Sequence, residues 1–145
     1  MRIFLDANIL IAAAGNPDGG SAYLCRVARR ERWHLLSSAY VLHEARTNIA
    51  KKLPSHQGDF EALLSQAALC IVTDASQTIR KLCCRVVPEK DVPVLAAAIL
   101  SKSDVLCTLD RRDFHQQTVR NFCRSFDLKI QTPKELLEAY VQADA

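Results

Sequence analysis

The sequence predicts an α/β protein, a three-layer α/β/α sandwich around a mainly parallel central sheet of about five strands. Two observations lead there. Short apolar runs alternate with segments of helical periodicity from one end of the chain to the other. The runs are apolar throughout rather than at every second residue, as expected of strands covered by helices on both faces. A length of 145 residues, 49% hydrophobic and 24% charged, suits one domain spanning 1–145.

The elements follow in order. RIFL (2–5) is the first strand. From Ser21 to about Glu31, Tyr23, Leu24, Val27 and Ala28 recur at helical spacing, with the arginines turned away. HLLS (34–37) is the second strand. Ser37 or Ser38 can then cap a helix whose stripe is Leu42, Ala45, Ile49 and Leu53, ended by Pro54. QGDFEALLSQA (57–67) forms a further helix, LCIVT (69–73) a third strand, and 75–84 another helix. Asp91 opens an alanine-rich helix, DVPVLAAAILSKS, with Pro93 tolerated in its first turn. VLCTL (105–109) is the fourth strand, followed by a helix through about 123, and LKIQ (128–131) is the fifth. Thr132 and Pro133 supply the N-cap and first-turn proline of a last helix, PKELLEAYVQA.

Composition narrows the function. No apolar run approaches the roughly 18 residues of a membrane span. The opening RIFLD lacks the pattern of a secretory signal, so a cytoplasmic location is expected. Cys25, Cys70, Cys83, Cys84, Cys107 and Cys123 lie mostly in apolar stretches without a CxxC pair, and read as reduced thiols. The net charge of +3 is mild. Its basic clusters (Arg26, Arg29, Arg30 and Arg32; Lys51 and Lys52; Arg80 and Lys81; Arg111 and Arg112) suit a polyanion, and each is also explained as a solvated helix face.

Four acids stand in telling places. Ligand sites of open α/β sheets lie at the carboxyl ends of the strands. Asp6 ends the first strand inside an apolar run, FLDANIL, and Asp110 ends the fourth. Asp91 begins the helix that feeds the fourth strand, and Glu44 flanks the apolar stripe of the helix after the second. Each has a plainer reading: Asp91 as an N-cap, Asp110 as a cap answered by Asp113, Glu44 as a solvated glutamate, Asp6 as a loop or cap residue. If the four converge, their mutual repulsion calls for a cation. All-oxygen ligation is the preference of Mg²⁺ and Mn²⁺, which suit phosphodiester chemistry.

The stretches FLDANILIAA, SSAYVLHEARTNI and KDVPVLAAAILSKSDVLCTLDRRDF, in this order and spacing, closely resemble the PIN-domain ribonucleases, including the VapC-like toxins of bacterial toxin–antitoxin pairs. The resemblance runs over nearly the whole chain. It matches Asp6, Glu44, Asp91 and Asp110 to the family's metal-binding and catalytic acids. It also matches Asn8 and Thr108 to supporting positions, with Asp113 as an additional outer group. It implies Mg²⁺ or Mn²⁺ dependence, an RNA substrate, frequent homodimers and a possible cognate antitoxin protein. Residues from about 54 to 90 depart from the compact toxin pattern.

The expected chemistry is therefore metal-dependent hydrolysis of RNA phosphodiester bonds by the toxin of a toxin–antitoxin system. Asp6, Asp91 and Asp110 would hold the ion, with Glu44 as a further ligand or as the group orienting the attacking water. His34, His43, His56 and His115 show no metal-ligand spacing and read as structural. The alternatives are a housekeeping RNA-processing nuclease and a catalytically silent RNA- or protein-binding domain. An aspartyl phosphatase is a further reading, but it would want a second Asp where Asn8 stands.

Overall fold

A computed structural model describes residues 1–144. The strands are β1 (Arg2–Leu5), β2 (His34–Ser38), β3 (Cys70–Val72), β4 (Val105–Cys107) and β5 (Lys129–Gln131). They form one all-parallel sheet in the order β3-β2-β1-β4-β5. Parallel neighbours need long crossovers, and helices supply them: α1 (Ala7–Gly15) and α2 (Gly20–Arg30), α3 (Ala39–Lys52) and α4 (Gln57–Gln66), α5 (Gln77–Cys83) and α6 (Val92–Leu100), and α7 (Gln117–Arg124). A last helix, α8 (Pro133–Asp144), returns to pack on α2. There the Trp33 and Tyr140 rings meet edge to face with centroids 5.1 Å apart.

The central strands β1 and β4 are almost wholly buried, whereas the edge strand β3 leaves Cys70 and Ile71 exposed. Phe4, Phe60 and Phe114 are the largest fully buried side chains of the core. The core accounts for α1, to which sequence periodicity assigned no element. Its ANILIAAAG is apolar nearly all round and packs against α2, α3 and α4, so no polar stripe betrays a helix.

The caps agree with the sequence at two sites. Ser38, rather than Ser37, accepts from the Val41 amide at 3.3 Å, while the Ser37 hydroxyl donates to the Leu5 carbonyl at 3.0 Å. Thr132 and Glu135 close a reciprocal capping box on α8, with N–H to oxygen distances of 3.2 and 3.3 Å. The segment after β4 differs from expectation. Residues 111–116 are turns, and α7 starts only at Gln117. Asp110 explains the delay: its Oδ1 accepts from the Asp113 amide at 3.0 Å and its carbonyl from the Phe114 amide at 3.2 Å, holding a tight loop.

The strand order reverses direction between β1 and β4, which pair with Leu5 opposite Cys107. A crevice at the carboxyl ends of such a pair is the usual ligand site of a parallel sheet. The residues that follow these strands are Asp6 and the segment Thr108 to Asp110.

Candidate active site

Asp6 is the N-cap of α1, and it is only 6% exposed. Its Oδ1 accepts from the Ala7 amide at 2.8 Å. Its Oδ2 accepts from the Thr108 hydroxyl at 2.8 Å and the Asn8 amide nitrogen at 3.3 Å. Burial pushes its pKa up, the Thr108 and Ala7 bonds pull against that, and the Asp110 charge nearby raises it further. The Asn8 side chain also ties the two strand ends together. Its Nδ2 donates to Thr108 Oγ1 at 3.2 Å, and its Oδ1 accepts from the Leu109 amide at 3.0 Å. Thr108, fully buried, accepts from the Asp110 amide at 3.1 Å as well.

Asp91 sits at the N-cap position of α6 but makes no capping bond, so the plainer reading of this residue fails. Its Oδ2 is buried and accepts no hydrogen bond, with the Lys90 ammonium 3.4 Å away. Burial, and then the neighbouring Asp113 carboxyl, push the Asp91 pKa up to about 7, against the opposing charge of Lys90. Asp113 is held down by Lys90, whose Nζ lies 2.9 Å from its Oδ2. One carboxylate oxygen from each of Asp91, Asp110 and Asp113 falls within 4.8 Å of the others, a compact trio of metal-ligand type. Asp6 and Glu44 stand outside that trio. Glu44 lies on the exposed side of α3, with its pKa raised by partial burial and then by the Asp6 charge. The Tyr40 phenol has its pKa raised by burial and then by Glu44 and Asp91, while its hydroxyl donates to the Lys90 carbonyl at 3.0 Å.

Two further features escaped the sequence. Lys90 bridges Asp91 and Asp113, a role for which the adjacent Lys-Asp pair was the only signal. His115 has its Nε2 2.9 Å from the Thr108 carbonyl, and Arg120 donates to its Nδ1 at 2.9 Å and to the Ile130 carbonyl at 3.0 Å. Since Nδ1 accepts, the network assigns His115 as the neutral tautomer donating from Nε2. The pair braces the ends of β4 and β5 behind the acids. The cysteines are free, and burial pushes the Cys25 and Cys83 thiols up to about 11 and Cys123 up to about 12, so these three stay protonated near neutral pH.

A parallel sheet carrying acids at its direction switch defines a class of protein, and the sequence match gives the family. The PIN domain family matches residues 2–112, more than half the chain, and the chain belongs to it. Asp6, Glu44, Asp91 and Asp110 lie within the matched segment, and Asp113 lies one residue beyond it. Three solved structures share the fold at 16% identity. A chain from VapBC2 of Rickettsia felis, bound to a DNA fragment from its promoter, has a TM-score of 0.67 over 91% of this chain and 98% of its own. A chain from VapBC-1 of nontypeable Haemophilus influenzae has 0.61, over 92% and 99%. A chain from FitAB bound to the IR36 DNA fragment has 0.55, over 90% and 94%. No curated protein matches the sequence. Among the described residues, no helix is long and apolar enough to cross a membrane.

Proposed function

We propose that this chain is a divalent-metal-dependent endoribonuclease acting as the toxin of a toxin–antitoxin pair. The observation that carries the reading is the Asp91 carboxylate, which has a buried Oδ2 without a hydrogen bond and an oxygen within 4.8 Å of oxygens of Asp110 and Asp113. This oxygen has only the exposed Lys90 ammonium, at 3.4 Å, to offset it, and a hard cation is the partner that an all-carboxylate donor set fits. Asp6, Asp91 and Asp110 would hold Mg²⁺ or Mn²⁺, with Asp113 beside them. Such an ion, when bound, supplies a Lewis acid for a phosphoryl oxygen and lowers the pKa of water.

The chain's own residues do the rest. Thr108 and the Ala7 amide fix both oxygens of Asp6, and Asn8 keeps the ends of β1 and β4 in one register. Glu44, with its raised pKa, orients the attacking water and takes its proton on a carboxylate oxygen. Exposed Arg111 and Arg112, beside Asp110, hold flanking phosphates.

An antitoxin partner is supported by the VapBC and FitAB likenesses together with an apolar groove of about 400 Å³. Ala13, Ala14, Cys25 and Leu63 form its floor, and Arg26 and Arg29 stand on its rim. This shape suits an amphipathic helix with acidic flanks.

The experiment is cleavage of single-stranded RNA by the purified chain with Mn²⁺, Mg²⁺ or EDTA. Cleavage is expected only with metal, and Asp91→Asn should lower it about 100-fold or more. Metal-independent cleavage, or an unaffected Asp91→Asn variant, would overturn the reading. No cleavage of any RNA by a metal-loaded wild type would favour a silent binding domain. Growth arrest on expression, rescued by the neighbouring reading frame, separates a toxin from a housekeeping nuclease.

A further inference from the structure

A second cleft, of about 560 Å³, is lined by Leu109 and Arg111, the two neighbours of Asp110, and by Gly19, Gly20, Ser21 and Lys134. The first turn of α2 faces it. Gly19, the N-cap, has no side chain to offer the turn, and the Gly20, Ser21 and Ala22 amides donate to no acceptor. Three free N–H groups at the start of an eleven-residue helix form an anion cradle.

Ser21 gives the independent sign that a ligand belongs there. It is 7% exposed, lines the cleft, and makes no hydrogen bond through its hydroxyl. Its oxygen is not sealed from solvent, so it opens into the cleft where an oxygen of a ligand can reach it. The surroundings choose the charge of that partner. Arg111 is in no ion pair, and Lys134 has only a loose 3.9 Å contact with Glu138. Asp18, exposed and two residues before Gly20, is the acid nearest in sequence to the turn, and its side chain caps nothing. The comparable start of α8 is already closed by Thr132 and Glu135. Leu109, 45% exposed, adds apolar surface to the cleft, as a nucleobase would need.

We propose that this cleft binds a backbone phosphate of the RNA strand, one that flanks the bond at the acidic cluster. The Gly20 and Ser21 amides and the Ser21 hydroxyl donate to its oxygens, and Arg111 and Lys134 balance its charge. The polynucleotide being RNA rests on the nuclease reading; the phosphate cradle does not. At Gly19 an added Cβ would come within 2.9 Å of the end of the Asn16 side chain, which would have to turn away. Gly20 is free of that limit, with nothing within 4 Å of an added Cβ.

That freedom supplies a clean test. Gly20→Asp fits the space and favours the helix electrostatically, yet puts a negative charge in the cradle. Oligouridylate and, separately, inorganic phosphate are titrated into the full chain in EDTA, following backbone amide resonances. Both should shift Gly20 and Ser21, with the oligonucleotide binding more tightly. Gly20→Asp should keep the wild-type melting temperature or raise it, and weaken oligouridylate binding about tenfold or more, while Gly20→Ala binds normally. With Mn²⁺, Gly20→Asp should raise KM and spare kcat, whereas Asp91→Asn should lose kcat and keep the Gly20 and Ser21 shifts. Unmoved Gly20 and Ser21 resonances, shifts with inorganic phosphate alone, or wild-type affinity in Gly20→Asp would overturn the proposal. If the chain cleaves no RNA but the shifts appear and Gly20→Asp abolishes them, the subsite stands and the nuclease reading falls. If Asp91→Asn abolishes cleavage while Gly20→Asp changes nothing, the subsite falls alone.

Discussion

The Thr108 hydroxyl donates to Asp6 Oδ2 at 2.8 Å across 102 residues of sequence. Thr108 Oγ1 also accepts from the Asn8 side-chain amide and from the Asp110 backbone amide, so one small side chain meets three groups of the site. Thr108→Val keeps the shape and removes all three bonds. It should cost about 1–3 kcal/mol of stability, read by urea unfolding, because buried polar groups are left unpaired. Mn²⁺ affinity should fall as Asp6 loses its alignment. Thr108→Ser should restore most of both; a Thr108→Val variant as stable as wild type would show that the bonds are dispensable.

Metal-free protein should grow less stable as pH rises from about 4 to 7. Asp91 has its usual pKa of 3.8 in the unfolded chain and about 7 when folded. Between those values the folded state holds the extra proton, so unfolding releases it and rising pH favours the unfolded state. Above pH 7 this contribution is constant. Asp6, also raised, acts with the same sign. Asp91→Asn should flatten the dependence and stabilise the metal-free protein near neutral pH. Thermal melts in EDTA across that range check it, and a profile that rises towards pH 7 in the wild type would contradict the sign.

Lys90 tempers the cluster. Its ammonium lies 2.9 Å from Asp113 and 3.4 Å from Asp91, but two thirds of its side chain is exposed, so the pairing is weak. Lys90→Met should tighten Mn²⁺ binding about two- to fivefold by removing a competing positive charge, measured by calorimetric titration. It should leave the metal-free protein slightly less stable above pH 7.

Four helices end with a non-glycine residue in the left-handed region: Arg32, Ala68, Lys102 and Asp127, with φ between 50° and 58°. After α6, the Ser103 amide reaches the Ala98 carbonyl at 3.2 Å, closing the turn that Lys102 makes. Lys102→Gly removes the strain of a Cβ there and should raise stability by about 1 kcal/mol without touching activity, seen as a higher urea midpoint.

These helix ends also show where the sequence was mute. Glycine would have announced each stop, but four other residues take its place. The strands and the cap at Thr132 were legible because apolar runs and capping chemistry are local. Helix α1 was not, since a helix buried on nearly every side has no stripe to read. The acids were visible one by one at strand ends and helix starts. What periodicity could not show was that Asp113 joins Asp91 and Asp110, or that Lys90 sits among them, because a six-residue turn rather than a helix follows Asp110.

The pairing of β1 with β4 has a consequence for how the protein is made. Asp6 is synthesised 102 residues before Thr108, its hydroxyl donor, and the strand that completes its surroundings ends at Cys107. Until that segment has left the ribosome, Asp6 has neither the Thr108 hydroxyl nor the Asp110 carboxylate near it. A nascent or truncated chain lacking β4 thus cannot assemble the acidic site. The acidic site therefore depends on a contact made late, when the two central strands meet.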